Sequence, residues 1–163
     1  MLNLYKKIRS SRAYYSFVSL VVLLITASLF VENFFSVDNF VTIVRQACIL
    51  LITSCGLTAV IITGNIDLSL GNTAAFVGCI CAILVKQNVP ILIVFLSGLI
   101  IGGFVGLLNG ILVAIVNLPS FIATYGTNWI IGGLATAIMQ GAIIFQLPAD
   151  FTWFGVGYIG RIP

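Results

Sequence analysis

The segment Gly64-Asn65-Ile66-Asp67-Leu68-Ser69-Leu70-Gly71 places a carboxylate, an amide and a hydroxyl between two long apolar runs, with glycine at either end. Asp67 is the only acid between Asp38 and Asp150. An ionisable side chain at or near membrane depth is costly, so it has a partner or a task. The other polar groups set among apolar residues are neutral. Asn109 stands alone, and Thr124, Thr127 and Asn128 fall at i, i+3 and i+4 on one helix face. The chemistry open to such a set is hydrogen bonding. Bond cleavage has little to stand on, because the chain has no histidine and only four acids. A nucleophilic triad, a zinc site or a carboxylate pair needs residues that are absent or far apart. No cofactor or metal is expected.

The elements that must position these groups follow from composition. Hydrophobic residues make up 61% of the chain, charged residues 7%, and the mean hydropathy is +1.23. A soluble domain carries about 25% charged residues. The expected fold class is all-α, a polytopic membrane helical bundle of about five transmembrane helices, forming a single transmembrane domain over residues 1–163. The candidate spans are Tyr14–Val31, Phe40–Thr63, about Leu68 to Val85, Ile91–Val116 and Phe121–Met139. The first run continues past Val31 into Glu32-Asn33-Phe34-Phe35 without a small-residue cleavage site, so it is taken as a retained helix rather than a signal peptide. The four cysteines, Cys48, Cys55, Cys79 and Cys81, lie inside apolar runs and are expected to act as small buried apolar residues.

Four of the seven basic residues, Lys6, Lys7, Arg9 and Arg12, precede the first span. Basic residues collect in cytoplasmic loops. Residues 1–13 are therefore expected as a cytoplasmic tail of a plasma-membrane protein. By parity the Asp67 break lies on the cytoplasmic side, and residues 140–163 form an outside loop with aromatic anchors at Phe151, Trp153, Phe154 and Tyr158. The third span is short if it starts after Gly71. About 14 residues rise only about 21 Å, against an apolar core of about 30 Å. An N-cap at Asp67 or Ser69 lengthens it and leaves Gly64 to Ile66 as non-helical backbone. Such backbone at membrane depth must be buried in protein or reached by water. Broken helices of this kind line substrate paths in transporters. A tight turn capped by Asp67 is the plainer alternative.

Gly98, Gly102, Gly106 and Gly110 recur every four residues, one helix face on which a partner helix can come close. Spacing alone leaves open whether that partner is internal or a second subunit. Asn109, beside the stripe, is open to a structural hydrogen bond or a substrate contact. The face of Thr124, Thr127 and Asn128, extended by Gly132, Gly133 and Thr136, fits close packing or a hydrated path.

Several stretches, in order, closely resemble the permease subunits of sugar ABC importers, the group that includes ribose, galactose and xylose systems. Glu32 to Phe40 resembles the family's first outside loop. Thr63 to Gly71 resembles its Gly-Ile-Asp-Leu-Ser-Val-Gly signature, with Asn65 and Leu70 as departures. Gly106 to Ala114 matches its Leu-Asn-Gly segment, Pro119 to Thr127 its Phe-Ile-x-Thr-Leu-Gly-Thr segment with Tyr125 for leucine, and Asp150 to Gly157 its aromatic outside loop. Where the family often has arginine, this chain has Gly132.

The resemblance implies a non-enzymatic subunit that forms a sugar path through the bilayer. The implied partners are an ABC ATPase subunit that hydrolyses ATP, an extracytoplasmic sugar-binding protein, and a second permease copy or the missing C-terminal half. No nucleic-acid partner is expected. Family members run to about twice this length, so the chain is expected to be an N-terminal half. Asp67, Ser69, Asn109, Thr124, Thr127 and Asn128 are the expected pathway residues, and Gly98, Gly102, Gly106 and Gly110 the expected packing residues. Two alternatives stand beside this. One is an ion-coupled secondary carrier that titrates Asp67; the other is a non-transporting membrane scaffold or remnant.

Overall fold

A computed structural model describes residues 12–158. Lys6, Lys7 and Arg9 of the expected cytoplasmic tail, and Arg161 of the expected outside loop, lie outside the described residues. The described chain is helical, with α1 (Arg12–Phe30), α2 (Val37–Ile62), α3 (Leu70–Lys86), α4 (Ile91–Ala114), α5 (Ser120–Met139) and α6 (Ala149–Val156). Among the described residues, α2 and α4 are long and apolar enough to cross a membrane by length and composition. Shorter α3 has 17 residues, about 26 Å at helical rise.

The chain divides into two compact units, Met1–Cys48 and Ile49–Pro163. In the first, α1 hides its polar groups within itself: the hydroxyls of Ser19, Thr26 and Ser28 donate to carbonyls three or four residues back. The turn after α1 uses Asn33 at φ 57°. Ser36 then caps α2, its Oγ accepting the Asn39 N–H at 3.2 Å. The Asn39 side chain donates to Phe34 O at 2.6 Å and ties the cap to the turn.

In the second unit α3 packs on both α5 and α4, and α4 and α5 also meet. The buried apolar residues are mostly small: Ala82 and Val85 on α3, Val94 and Val105 on α4, Ala123, Ile131 and Ala135 on α5. Small side chains let helices approach closely, the mode of packing that works where lipid is as apolar as leucine. Large apolar side chains point outward instead, as with Leu99 at 73% exposed and Ile130 at 65%.

Gly132 shows how tight the α3–α5 contact is. A Cβ there would lie 2.7 Å from Asn72 Nδ2, the same atom that donates to Asn128 O at 2.9 Å. At the adjacent Gly133 a Cβ would meet nothing within 4 Å. Both substitutions to alanine gain about 0.8–1.0 kcal/mol of helix propensity. Gly132→Ala also displaces Asn72 and loses its bond, a cost of about 0.5–1.5 kcal/mol. Gly133→Ala is therefore expected to raise the melting temperature in detergent and Gly132→Ala to leave it near the wild-type value. Equal shifts for the two would rule out the Asn72 contact as a constraint.

Two expectations need correction. Part of the stretch 140–163, expected as loop, is helical: α6 forms over Ala149–Val156. Pro148 is its N-cap residue and makes no side-chain capping bond, Asp150 sits in the first turn where a negative charge is favourable, and Gly157 follows its end. Phe151 and Phe154 of α6 lie 6.4 and 5.2 Å, centroid to centroid, from Phe95 on α4. These two aromatic anchors therefore contact protein. The cysteines are also less buried than expected. Cys48 and Cys55 are exposed, and Cys79 and Cys81 half-buried, because small residues fill both the covered and the uncovered faces of these helices.

Candidate functional site

Helix α2 ends where Gly64 takes φ +78°, a conformation that costs a residue with a side chain about 1–2 kcal/mol. The Gly64 N–H then donates to Ile61 O at 2.9 Å and the Asn65 N–H to Val60 O at 3.3 Å. This pair of bonds closes the last turn in the Schellman manner. Residues 65–69 run on without regular structure until α3 begins at Leu70. Backbone N–H groups in such a stretch must find partners elsewhere.

They find them on α5. The Ile66 N–H donates to Ser120 Oγ and the Leu68 N–H to Thr124 Oγ1, each at 3.2 Å. The Thr124 hydroxyl lies 2.7 Å from Ser120 O and 3.3 Å from Ile66 O. Ser120 and Thr124 are one turn apart at the start of α5, so their hydroxyls stand one above the other and grip alternate amides of an extended segment.

Ser69 is the N-cap residue of α3, yet its hydroxyl makes no capping bond to that helix. It donates to Asp67 Oδ1 at 2.7 Å, and the Ser69 N–H donates to the same oxygen at 2.8 Å. Asn109 on α4 donates its Nδ2 to Ser69 Oγ at 2.8 Å. A carboxylate only accepts, so the serine proton points to Asp67 and the serine lone pair takes the amide donor. That logic fixes the orientation of the Asn109 amide. Ser69, Thr124 and Asn109 are 2%, 3% and 6% exposed. Asn109 Oδ1 is buried without a hydrogen-bond partner, as is Thr73 Oγ1.

A cavity of about 390 Å³ lies beside this network. Asp67, Asn65, Asn109, Ser120, Thr124 and Thr63 supply its polar groups, while Val60, Val113, Gly106 and Gly110 contribute to the apolar wall. A second, of about 310 Å³, lies between α3 and α4 and is lined by Asp67, Ser69, Thr73, Gly98, Gly102 and Gly106 among others. Asp67 and Gly106 border both. The arrangement offers neutral donors and acceptors around one carboxylate, with an apolar floor. Among the described residues no cluster of side chains could hold a metal ion.

Of the six pathway residues expected from sequence, Asp67, Ser69, Asn109 and Thr124 come together here. Thr127 and Asn128 lie elsewhere. The Thr127 hydroxyl donates back to Ala123 O of its own helix at 3.1 Å, and Asn128 contributes its backbone oxygen to Asn72. Ser120 and Asn72 belong to the site's scaffold and were not singled out from sequence as site residues. The spacing of Ser120 and Thr124, i and i+4 at a helix start, was the available signal. Along the glycine stripe, a Cβ at Gly98 would lie 3.3 Å from both Cys81 Sγ and Val77 Cγ1, whereas one at Gly102, Gly106 or Gly110 would meet nothing within 4 Å.

Residues 39–153 match the family described as "Branched-chain amino acid transport system / permease component". The chain is 37% identical over 152 residues to the ribose import permease protein RbsC of Haemophilus influenzae, covering 91% of this chain and 47% of that protein. It is 34% identical over 154 residues to the galactofuranose transporter permease protein YtfT of Escherichia coli, covering 90% and 45%. It is 31% identical over 148 residues to the D-allose transport system permease protein AlsC of Escherichia coli, again covering 90% and 45%. The chain thus spans about half the length of the curated relatives it matches. No solved structure matches it. The family match covers most of the chain, including the break, the Asn109 segment and the start of α5, and the chain belongs to this transport-system permease family, alongside the import permeases for ribose, galactofuranose and D-allose.

Proposed function

We propose that this chain is part of the permease subunit of an ABC importer that carries a sugar across the bacterial cytoplasmic membrane. The observation that carries the reading is the cavity at the break, lined by the neutral groups of Asn65, Asn109, Ser120 and Thr124 around a single carboxylate. A sugar is recognised by hydrogen-bond donors and acceptors set on apolar wall, and this cavity has both. Three of the relatives are named for ribose, galactofuranose and D-allose, substrates of one chemical class, and others for autoinducer 2. Asp67, Ser69, Asn109 and Thr124 would form the path, with the break as its non-helical lining. The N-terminus lies in the cytoplasm, in keeping with the basic residues that precede α1. ATP hydrolysis resides in a separate ATPase subunit, and an extracytoplasmic binding protein delivers the sugar.

The test is uptake by a chimera in which this chain replaces the matching part of the H. influenzae ribose permease, expressed with that system's ATPase and binding protein. Ribose uptake that requires the ATPase is the expected result. Uptake that persists without the ATPase and varies with pH would favour an ion-coupled carrier using Asp67. No uptake from a chimera that inserts and assembles would count against a transport role.

A further inference from the structure

Helix α5 carries a second face with polar groups, one that the break does not use. Ser120 and Thr124 line the cavity at the break. Phe121 and Tyr125 each follow one of them by a residue, about 100° round the helix, and Trp129 continues their row by one turn. The rings form a ladder. Phe121 and Tyr125 lie within 7° of parallel at 5.8 Å between centroids, and Trp129 meets Tyr125 edge to face at 6.1 Å. All three are exposed, Trp129 at 65%. Asn128 adjoins Trp129, so that Tyr125, Asn128 and Trp129 fall at i, i+3 and i+4 on one side of the helix.

The polar tips of these three side chains have no hydrogen-bond partner among the described residues. Asn128 gives Asn72 its backbone oxygen, and its side-chain amide makes no bond. The Tyr125 hydroxyl and the Trp129 indole N–H make none either. The groups remain accessible, because Asn128 is half-buried and the two aromatic residues are exposed. Trp129 is the tenth of the 20 residues of α5, about 15 Å from either end and so at the depth of the bilayer centre. Tyr and Trp favour the membrane interface, where the ring is in lipid and the polar tip is wet. An amide left bare in hydrocarbon is costly. Lipid alone would leave all three groups unpaired. Helix α5 also has the length to cross a membrane without the apolar composition of α2 and α4.

We infer that Tyr125, Asn128 and Trp129 form a second sugar-contact station, beyond the cavity at the break, where a sugar ring stacks on the aromatic side chains and its hydroxyls meet the Asn128 amide. The inference rests on the reading of the chain as part of a sugar permease. A sugar presents C–H faces and hydroxyl edges. Flat aromatic rings suit the first, and neutral donors and acceptors the second. The Asn128 amide supplies two donors and an acceptor, the indole and the phenol one donor each. Ser120 and Thr124 belong to the same two turns of helix as Phe121 and Tyr125, so the station continues the cavity already described.

The uptake chimera carries the test. At saturating ribose, Trp129→Phe keeps a ring and is expected to transport within about twofold of the wild type, whereas Trp129→Leu loses about tenfold. The ATPase and binding protein are expected to co-purify equally with both. Access of water and sugar is read from Trp129→Cys and Tyr125→Cys with a charged thiol reagent that does not cross membranes. A thiol reacts as the thiolate, which forms where water reaches it. Ile130→Cys, equally exposed on the adjoining face, is the control, and the chimera without an added cysteine gives the background from the native four. Labelling is expected at both test positions and not at the control, slowed by ribose and not by a sugar that the system does not carry. Equal uptake by the Phe and Leu variants overturns the inference. So does absence of labelling at both test positions, which would mean that lipid or a neighbouring helix covers the face. Labelling that ribose does not slow, or that is as fast at the control, overturns it as well. In each of these cases ATPase-dependent uptake by the parent chimera leaves the permease reading intact. A parent chimera that assembles without uptake removes that reading and this inference with it.

Discussion

Asp67→Ala is expected to destabilise the protein far more than Asp67→Asn. Alanine removes the acceptor for two donors of Ser69, its N–H at 2.8 Å and its hydroxyl at 2.7 Å. Ser69 is 2% exposed, and each donor left bare there costs about 1–3 kcal/mol, or about 2–6 kcal/mol for the pair. The Asn109 amide can turn its Oδ1 to the serine hydroxyl, but that strands Nδ2 in its place and only moves the deficit. Asparagine keeps a carbonyl oxygen where Oδ1 stands. It loses the charge-assisted part of two hydrogen bonds, which roughly halves their strength, at a cost of about 1–2 kcal/mol. Thermal unfolding of both variants in detergent decides the matter. Equal drops in melting temperature would mean that Asp67 acts through its charge and not as the acceptor for Ser69. Asp67→Asn in the uptake chimera extends the comparison: a transport defect without a stability defect would give the carboxylate a role beyond holding Ser69.

The second large effect is expected at the grip of α5 on the break. Ser120→Ala with Thr124→Val removes both hydroxyls and leaves the Ile66 and Leu68 amides without acceptors. Valine matches threonine in shape, so packing at buried Thr124 is retained. The part-buried Leu68 amide costs about 1–3 kcal/mol when orphaned, the exposed Ile66 amide costs less because water can replace Ser120, and because both fix one short segment the costs are coupled rather than independent. The readout is amide hydrogen exchange of the peptide covering residues 63–69. A loss of about 2 kcal/mol corresponds to exchange about 30-fold faster there, with the middle of α5 unchanged. Wild-type exchange in that peptide would show that the two hydroxyls do not hold the break.

The existence of the break could be read from sequence because its residues contrast with their surroundings. A lone acid between apolar runs, glycines at the edges and good N-cap residues point to non-helical backbone and a helix starting at Asp67 or Ser69. Ser69 does precede α3. Its hydroxyl, however, turns back to Asp67 instead of capping the helix, and no local pattern separates those choices. The polar face on α5 was equally visible, yet its members differ in use. Thr124 reaches the break, Thr127 bonds its own helix, and Asn128 offers only a carbonyl. A hydroxyl on a helix can always bond back to the preceding turn, so spacing cannot say which one faces a neighbour. Gly132 was visible only as part of a small-residue stripe. Its constraint comes from Asn72, far away in the chain, and such a contact is set by tertiary packing. Helix α6, with 8 residues, is too short for periodicity to reveal, although Pro148 and Asp150 marked its start.

The bonds that satisfy the break also set an order in time. Ile66 and Leu68 depend on residues 54 to 58 positions later in the chain, and Ser69 on one 40 positions later. At about 5–20 residues per second of synthesis, Ser120 and Thr124 emerge about 3–12 s after the segment they hold. For that interval the amides of Ile66 and Leu68 have only water, lipid headgroups or the insertion machinery as partners. A ribosome stalled before α5 would therefore leave a nascent chain whose break is still open, and the segment around Asp67 cannot settle into the bilayer until α5 has joined it.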